Sequence, residues 1–508
     1  MIHDLTVHPE TYVDSIVQLS GTRALRSVDG VDWASAAMAT PTNRETLAAE
    51  GFDPGDAGAN DLVIAIRADS ADTVEAAREA GEQALFAVAE RSGGARQQEP
   101  ARTLGEAVGR LDGANVAVVS VPGDYAAMEA HKALGAGLDV LLFSDNVSVE
   151  DEIALKDRAN RLGRLVMGPG AGTAMLGHTC LGFANVVTPG RVAVVAAAGT
   201  GAQEAAALLD RWGVGVSHVV GLGGRDLTAA VGGRMALSAV RALVADEGTD
   251  IVLLVSKPPA PEVARAVVEA AAGTTLVAAL IGVDEDFAAP DGVVVTRTLQ
   301  AGAAAAVAAA GGSVPDLTEG VVDRVRERIE RLPADRTLVR GLFSGGTLCY
   351  ESLVILADVL GPVYSNTPID KALGLPAPAG AHTCLDLGEE EYTKGRPHPM
   401  IDPAARIELL REALAEPGVG AVIMDVVLGH GAHPDPASEL APVCAEAGTD
   451  GPAVVVYVLG TEQDPQGLAK QRKAFEDAGC LVTETAAQAS LVAAALASRK
   501  PEIAVHAL

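Results

Sequence analysis

Two glycine-containing turns in this sequence each lead from an apolar strand into a helix that carries a glutamate. The first, Gly199-Thr200-Gly201, precedes a helix with Glu204, and the second, Ser344-Gly345-Gly346-Thr347, precedes a helix with Glu351. Such a turn leaves free backbone N–H groups at the helix N-terminus, where anions bind. One turn of this kind is common in α/β proteins, but the repetition favours a ligand site. Two such ends facing each other would form a phosphate site.

Two histidines follow a predicted buried strand further along the chain, in the segment Gly-His-Gly-Ala-His-Pro-Asp at 429–435. His430 and His433 should therefore lie at the carboxyl edge of a sheet, where ligands bind in open α/β folds. Histidine titrates near neutral pH, so either ring could act as a general acid or base, or as a metal ligand. The alternative is a structured loop with one hydrogen-bonded and one solvated histidine. No third ligand is suitably spaced, so we predict no metal site.

A basic cluster formed by Lys394, Arg396 and His398 lies on the long polar segment 362–403, which we expect to be a structureless functional loop. In an acidic chain such a cluster suggests an anionic substrate, since arginine can grip a carboxylate or phosphate with two hydrogen bonds. Pairing with the glutamates at 389–391 is the alternative. Arg225, which follows a Gly-Gly pair, is a weaker candidate for substrate binding, and a solvated loop is its alternative.

The hydrophobic pattern predicts an α/β fold made of consecutive parallel-sheet domains. Residues 1–100 form an N-terminal α/β domain, with strands at Ser15–Leu19 and Asp61–Ile66 and a helix at Asn43–Glu50. Residues 101–189 show a βαβαβ pattern, which implies a parallel sheet. Further strand–helix alternations define domains at 190–312 and 337–508, and residues 313–336 are predicted to be a linker.

Composition excludes several classes of protein. The chain of 508 residues is long enough for three or four domains, and its net charge of −29 argues against binding to nucleic acid or to an anionic membrane. The five cysteines form no CxxC pair, which is typical of reduced cytosolic thiols. The sequence pattern predicts neither a signal peptide nor a membrane-spanning run. We therefore expect a cytoplasmic protein with no nucleic-acid or membrane partner.

The segments at 120–127, 189–192 and 220–224 resemble the α subunit of succinyl-CoA synthetase, and Gly199-Thr200 with Glu204 is similar to its Ser-Gly-Thr…Glu helix start. The segments at 343–346, 384–388 and 425–430 resemble the C-terminal ligase domain of the β subunit. An α-like half fused to this domain, without an ATP-grasp domain, resembles the FdrA family. The resemblance implies a Rossmann-like CoA-binding-type domain at 101–189 and two flavodoxin-like CoA-ligase-type domains at 190–312 and 337–508.

One difference from the α subunit affects the mechanism. In that subunit, a His-Ala-Gly-Ala segment carries the phosphohistidine, whereas this chain has Gln300 at the corresponding place, in Gln-Ala-Gly-Ala. Glutamine has no ring nitrogen to phosphorylate and cannot relay a phosphoryl group. The resemblance therefore implies that this chain alone does not run ATP-dependent thioester formation.

Three functions remain open. The first is an NDP-forming acyl-CoA ligase, and Gln300 argues against it. The second is a non-catalytic binding or regulatory protein, which would be expected to have eroded turns. The third, which the FdrA resemblance implies and which we favour, is a subunit of an oxamate carbamoyltransferase that converts oxalurate and phosphate into oxamate and carbamoyl phosphate. Its partners would be a small anionic substrate and either two other subunits or a second copy of the chain. We expect that no cofactor is required, although CoA is a candidate ligand. The catalytic groups would be the two glutamates, Glu204 and Glu351, and His430 or His433.

Overall fold

A computed structural model describes residues 1–11, 13, 15–91, 101–283, 287–394 and 396–506 of the chain. The chain divides into two compact units, Met1–Pro100 and Ala101–Leu508. The fold is α/β, as predicted. Among the described residues, no helix is both long enough and apolar enough to span a bilayer.

The N-terminal unit is a three-stranded antiparallel sheet, in the order β1-β3-β2, with helices packed on it. Its elements are β1 (Ile2–His8), α1 (Ser15–Arg26), β2 (Val31–Met38), α2 (Pro41–Ala49), β3 (Leu62–Ala68) and α3 (Ala71–Arg91).

The predicted strand at Asp61–Ile66 and the helix at Asn43–Glu50 are confirmed by β3 and α2, but the predicted strand at Ser15–Leu19 is wrong because these residues begin α1. Tertiary packing overrides the local β preference there. Gly21 of α1 lies against Leu85, and Gly81 of α3 lies against Leu25, so that the two helices approach closely.

The second unit begins with a small parallel sheet in the order β4-β5-β6, which confirms the predicted βαβαβ pattern. The elements of this part are α4 (Leu104–Arg110), β4 (Val116–Val119), α5 (Gly123–Gly135), β5 (Asp139–Leu142), α6 (Val149–Leu162) and β6 (Val166–Met167).

A seven-stranded sheet follows, in the order β13-β12-β11-β9-β10-β7-β8. Its elements are β7 (Thr173–Leu176), β8 (Thr179–Gly182), β9 (Pro189–Ala197), α7 (Gly199–Arg211), β10 (Val216–Gly221), α8 (Arg234–Val244), β11 (Ile251–Ser256), α9 (Pro261–Ala270), β12 (Leu276–Leu280), β13 (Val293–Thr296) and α10 (Leu299–Ala309). The sheet is parallel from β13 to β10, and the hairpin β7–β8 adds an antiparallel edge. This hairpin was not predicted from the sequence, and its strands have four residues each.

The last sheet has six parallel strands in the order β15-β16-β14-β17-β18-β19. The elements from residue 321 onward are α11 (Val321–Arg331), β14 (Leu338–Phe343), α12 (Gly346–Leu360), β15 (Val363–Ser365), β16 (His382–Asp386), α13 (Glu390–Thr393), α14 (Ala404–Ala415), β17 (Val419–Val427), α15 (Pro436–Ala445), β18 (Ala453–Leu459), α16 (Leu468–Asp477), β19 (Leu481–Thr483) and α17 (Ala486–Ser498). The prediction of a structureless loop at 362–403 is wrong, because β15 and β16 lie within it.

The seven-stranded and six-stranded sheets share one hydrophobic core, which contains apolar residues of both sheets and the buried helix α17. Helix α11, in the stretch predicted as a linker, packs against this core through Val321 and Val325. Helices α7 and α12, which carry the two glycine turns at their starts, pack against each other. We call the contact between these two helix starts the seam.

Candidate functional site

The two glycine turns face each other across the seam. A side-chain carbon built on Gly345 would lie 2.8 Å from Thr200 Oγ1, and one built on Gly201 would lie 2.8 Å from the methyl group of Thr347. Only glycine allows this approach without displacing the opposite threonine. The helix N-termini therefore converge, as a shared anion site requires. Phosphate binding between them stays a prediction.

The two predicted catalytic glutamates are buried in the seam, each 1% exposed. The Tyr457 hydroxyl donates a hydrogen bond of 2.5 Å to Glu204 Oε2, and the Leu299 N–H donates one of 2.6 Å to Glu351 Oε1. Burial raises the pKa of Glu204 to about 7. Burial, together with the charge of Glu204, raises the pKa of Glu351 to about 8. Both carboxyls can thus hold or release a proton near neutral pH.

Two polar atoms of α12 are buried in the seam without a hydrogen-bond partner among the described residues, namely Thr347 Oγ1 and Glu351 Oε2. Residues four apart lie on the same face of a helix, so these two side chains are neighbours. Buried polar atoms in folded proteins are nearly always hydrogen-bonded, and an exception calls for an explanation such as a ligand. The seam therefore contains a hydroxyl and a carboxyl oxygen that a ligand could satisfy.

The turn before α12 is partly occupied by a side chain of the protein itself. Asp425 accepts hydrogen bonds from the Ser344 N–H at 2.7 Å, the Gly345 N–H at 2.8 Å and the Ser344 hydroxyl at 2.9 Å. Arg406 pairs with the same carboxylate at 2.9 Å, and both side chains are buried. Ser344 and Gly345 were predicted to bind phosphate, but their N–H groups already have an acceptor. An anion at this helix would instead meet the N–H groups from Gly346 onward.

Two charged residues that were not predicted from the sequence lie at the start of α12. Lys257, directly after β11, places its Nζ 5.1 Å from the centroid of the Tyr350 ring. Asp386, the last residue of β16, directs its Oδ2 at Gly346. Burial raises the pKa of Asp386 to about 6, although the charge of Lys257 opposes this rise. Both residues lie at the carboxyl ends of parallel strands, which is the edge of a parallel sheet where ligands bind. Their position at this edge is the feature from which they could have been predicted.

The predicted basic cluster is divided in the structure. His398 lies beside Gly388, near the Asp386 carboxylate, and burial lowers the pKa of its ring to about 4. Lys394 is exposed. Arg396 is exposed and pairs with Glu408 at 3.4 Å, not with the glutamates at 389–391. Only His398 joins the charged groups near the seam.

The two histidines of the 429–435 loop are held in different ways. His433 is buried, with Nε2 2.9 Å from Glu439 and Nδ1 accepting a hydrogen bond of 3.1 Å from the Asp435 N–H. His430 is exposed, and its backbone pairs with that of Ala184. This arrangement corresponds to the structural alternative for the loop. Within the described residues, no group of three or more potential metal ligands is present.

Arg225 makes contacts within the protein. Its guanidinium donates to Glu152 at 2.9 Å and to the Val147 carbonyl at 2.7 Å. The buried Lys156 pairs with Glu152 at 2.7 Å and with Asp226 at 2.8 Å. These bonds connect helix α6 and the residue Val147 before it to the loop that follows β10. None of these contacts places Arg225 in the seam.

Gln300, at the position that the resemblance assigns to a phosphohistidine, lies in the first turn of α10. Its side-chain oxygen accepts a hydrogen bond from the Thr485 hydroxyl. The backbone N–H groups of Leu299 and Gln300 both face the Glu351 carboxylate. The corresponding position thus lies beside the seam, but its side chain is bonded to another helix.

Comparison with family models divides the chain into three matched regions. The model described as "AllF, heavy metal-associated domain" matches residues 1–101, the "CoA binding domain" model matches residues 187–281, and the "CoA-ligase" model matches residues 342–496. The CoA-binding match lies almost entirely in the stretch 190–312, which we assigned to the first ligase-type domain, and not in residues 101–189. The domain assignments stay predictions.

The chain is 37% identical over 505 residues to the uncharacterized protein YahF of Escherichia coli, an alignment that covers 96% of this chain and 97% of YahF. It is 35% identical over 123 residues to the succinate–CoA ligase [ADP-forming] subunit alpha 2 of Archaeoglobus fulgidus, covering 23% of this chain and 42% of that subunit. The chain therefore belongs to the FdrA family of succinyl-CoA-synthetase-like proteins, together with YahF.

Among solved structures, the dinucleotide-forming acetyl-coenzyme A synthetase 1 of Ca. Korarchaeum cryptofilum, in complex with phosphate and ADP, aligns with 79% of this chain and 87% of its own. The sequence identity is 17% and the TM-score is 0.29. At this score the alignment supports no conclusion about the site.

The N-terminal match to a heavy metal-associated domain raises the question of a metal there. Residues 1–101 contain no cysteine, the soft ligand that heavy metals prefer. The described part of this unit also contains no cluster of three potential metal ligands. The residues present do not fit a thiolate-bound metal.

Proposed function

We propose that this chain is the phosphate-binding subunit of a carbamoyltransferase that converts oxalurate and phosphate into oxamate and carbamoyl phosphate. The observation that carries the proposal is the seam itself: two converging helix N-termini, with the buried Thr347 hydroxyl and one Glu351 carboxyl oxygen left without a partner among the described residues. A site of this kind favours a small anion with several acceptor oxygens. Gln300 supports a free phosphate rather than a phosphohistidine as the occupant.

The reaction balances without ATP or CoA. An oxygen of hydrogen phosphate attacks the ureido carbonyl carbon of oxalurate, and the bond from this carbon to the internal nitrogen breaks. The proton of the phosphate ends on that nitrogen, which leaves as the amide of oxamate. The helix N-termini stabilise negative charge on the phosphate oxygens. Glu351 and Glu204, whose pKa values lie near neutral pH, carry the proton between the phosphate oxygen and the leaving nitrogen.

An acid–thiol ligase is the second candidate, because the chain resembles the α subunits of succinate–CoA ligases over part of its length. This activity would require CoA, which stays a candidate ligand through the CoA-binding family match. It would also require a phosphoryl carrier in place of Gln300. We expect the transferase to act in the cytoplasm, with further subunits or as a homodimer.

A panel of ligands tested by thermal shift on the full chain distinguishes the two functions. Phosphate, carbamoyl phosphate and oxamate should each raise the melting temperature, because a ligand that binds only the folded state stabilises it. CoA and ATP serve as the comparison. Stabilisation by CoA and ATP, with no effect of carbamoyl phosphate, would establish the ligase instead.

A further inference from the structure

The strand β4 forms one edge of the small three-stranded sheet, and among the described residues no strand pairs with its outer side. The carbonyls of Asn115 and Val119 accept hydrogen bonds of 2.8 and 2.9 Å from β5 and the residue after it. In a parallel pair, successive residues of a strand direct their backbone groups alternately to one side and to the other. Val116 and Val118 therefore direct their N–H and C=O groups outward, away from β5.

Apolar side chains are exposed at this edge of the sheet. Val118 is 55% exposed although it lies within a strand, and Val121, just beyond the strand, is also exposed. Tyr125 and Met128 are exposed on α5, the helix that packs against β4. Exposed apolar groups that occur together on one element are typical of interaction surfaces.

The edge lacks the protection that exposed sheet edges usually have. Natural edge strands carry charged residues or proline, which oppose pairing with another chain. In this chain, the edge strand β1 contains Asp4, β2 contains Asp32, and β13 is followed directly by Arg297. The stretch 113–121, in contrast, contains no charged residue and no proline. An edge of this kind is expected to be covered in the native assembly.

The charge pattern favours a second copy of the chain as the group that covers β4. A partner of opposite charge would be matched by charged residues at the edge, and the stretch 113–121 has none. Two copies, each with a net charge of −29, repel each other where charged surfaces meet, so they can approach closely only at an uncharged stretch. In a two-fold contact the strand is its own partner, and the outward N–H groups of each copy meet the carbonyls of the other.

We propose that two copies of this chain pair in antiparallel orientation through β4, which joins two sheets of three strands into one sheet of six. The pairing satisfies the outward backbone groups of Val116 and Val118 and buries the Val118 side chain. A sheet of three strands is near the lower limit for independent stability, and the joined sheet is not. This contact is independent of the reaction that the seam carries out.

Sedimentation velocity of the full chain at a series of concentrations tests the proposal. The chain of 51.5 kDa should sediment as a dimer that dissociates on dilution. Val118→Lys places a charge in the contact from both copies and should weaken dimerisation about 100-fold or more, because juxtaposed like charges oppose association. Val294→Lys, at a valine that is 48% exposed on the edge strand β13, is the matched control and should dimerise as the wild type does. Circular dichroism establishes that each variant is folded.

Amide hydrogen exchange of the wild type tests the same contact without a substitution. The amides of Val116 and Val118 should exchange slowly in the concentrated dimer and rapidly in the dilute monomer, because only the pairing supplies acceptors for them. The amides of β5, which lies inside the sheet, should exchange equally slowly at both concentrations.

A chain that stays monomeric, or that assembles only with a different subunit, would overturn the proposal. A dimer that folded Val118→Lys leaves unchanged would do the same, because the contact would then lie elsewhere. Slow exchange of the stretch 113–121 in the monomer would show that another part of the same chain covers β4.

Discussion

The hydroxyl of Tyr457, on β18, donates a hydrogen bond of 2.5 Å to the carboxyl of Glu204, on α7. Tyr457 belongs to the six-stranded sheet, whereas Glu204 belongs to the helix that follows β9 of the seven-stranded sheet. This bond therefore connects the six-stranded sheet to helix α7. Both side chains are buried, each 1% exposed. This hydrogen bond holds the Glu204 carboxyl in place. The bond lowers the pKa of Glu204, but burial raises that pKa by more.

Replacing Tyr457 with phenylalanine should destabilise the fold by about 1–2 kcal/mol, because it leaves the Glu204 carboxyl without this donor. The same change should raise the pKa of Glu204 further. Urea unfolding measures the first effect, and Tyr125→Phe, at a tyrosine that is 60% exposed, is the control. Equal stability of the two variants would show that the bond contributes nothing.

The Glu351 carboxyl should make stability depend on pH. Its pKa is raised from 4.5 to about 8, so the folded chain retains a proton that the unfolded chain releases between these values. Stability therefore falls as pH rises through this window. Between pH 6 and pH 8 the loss amounts to about 2 to 3 kcal/mol, at about 1.4 kcal/mol per pH unit.

The Glu351→Gln variant removes this titration and should lose less stability than the wild type when melting temperatures are compared at pH 6 and pH 8. Glu327→Gln, on the exposed face of α11, should follow the wild type. A Glu351→Gln variant with the full wild-type pH dependence would contradict the raised pKa of this carboxyl.

The buried pair of Arg406 and Asp425 should be essential for the turn before α12. Arg406→Met removes one partner of a buried ion pair, which costs about 3–5 kcal/mol because a buried charge loses its counter-ion. Arg411 lies on the same helix, is 55% exposed and pairs with Glu446 at 3.1 Å. Arg411→Met should cost about 1 kcal/mol or less, as exposed pairs do. Denaturant unfolding compares the two, and similar losses would contradict the assigned importance of the buried pair.

The close contact of the two helix starts predicts a steric effect at Gly345. Gly345→Ala would place a carbon 2.8 Å from Thr200 Oγ1. This change should cost about 1–3 kcal/mol, as overpacking does. Gly199→Ala is the matched change at the start of the other helix, where an added carbon would meet no atom within 4 Å. Its melting temperature should equal or exceed that of the wild type, since alanine restricts the unfolded chain. A neutral Gly345→Ala would mean that the helix starts can separate without cost.

Strands that cross a core could be predicted from the sequence because nearly all of their residues are apolar. Residues 192–196 of β9 and the strand Val419–Val427 are buried along their length, and an apolar strand was expected before the loop that follows each of them. The strands β15 and β16 were not expected, because they are short and carry polar, half-buried residues. Pairing in the sheet beside β14 holds these residues in strands, which their local sequence pattern alone does not predict. Residues 15–19 form a helix for a similar reason, since contact with α3 decides their conformation.

Part of the candidate site could also be predicted. The repeated Gly-Thr…Glu pattern identified the residues that meet in the seam, because both copies place the same groups at a helix start. Lys257 and Asp386 could not be found in this way, since they lie at the ends of strands that are distant in sequence. Only the strand order and the packing of the two sheets bring them to Gly346. Asp425, which accepts hydrogen bonds from Ser344 and Gly345, lies inside a strand. No local sequence pattern around it predicts this role.

The proposed carbamoyltransferase activity is tested most directly by the formation of carbamoyl phosphate by the chain, purified together with whatever subunits accompany it in its native cells. Oxalurate labelled with ¹³C at the ureido carbon is supplied with phosphate, without ATP or CoA, and the products are followed by ¹³C and ³¹P NMR. We predict a carbon signal coupled to phosphorus, together with unlabelled oxamate in equal amount. Absence of this signal, with thioester formation when ATP, CoA and a carboxylate are supplied, would show that the protein is an acid–thiol ligase and not a carbamoyltransferase.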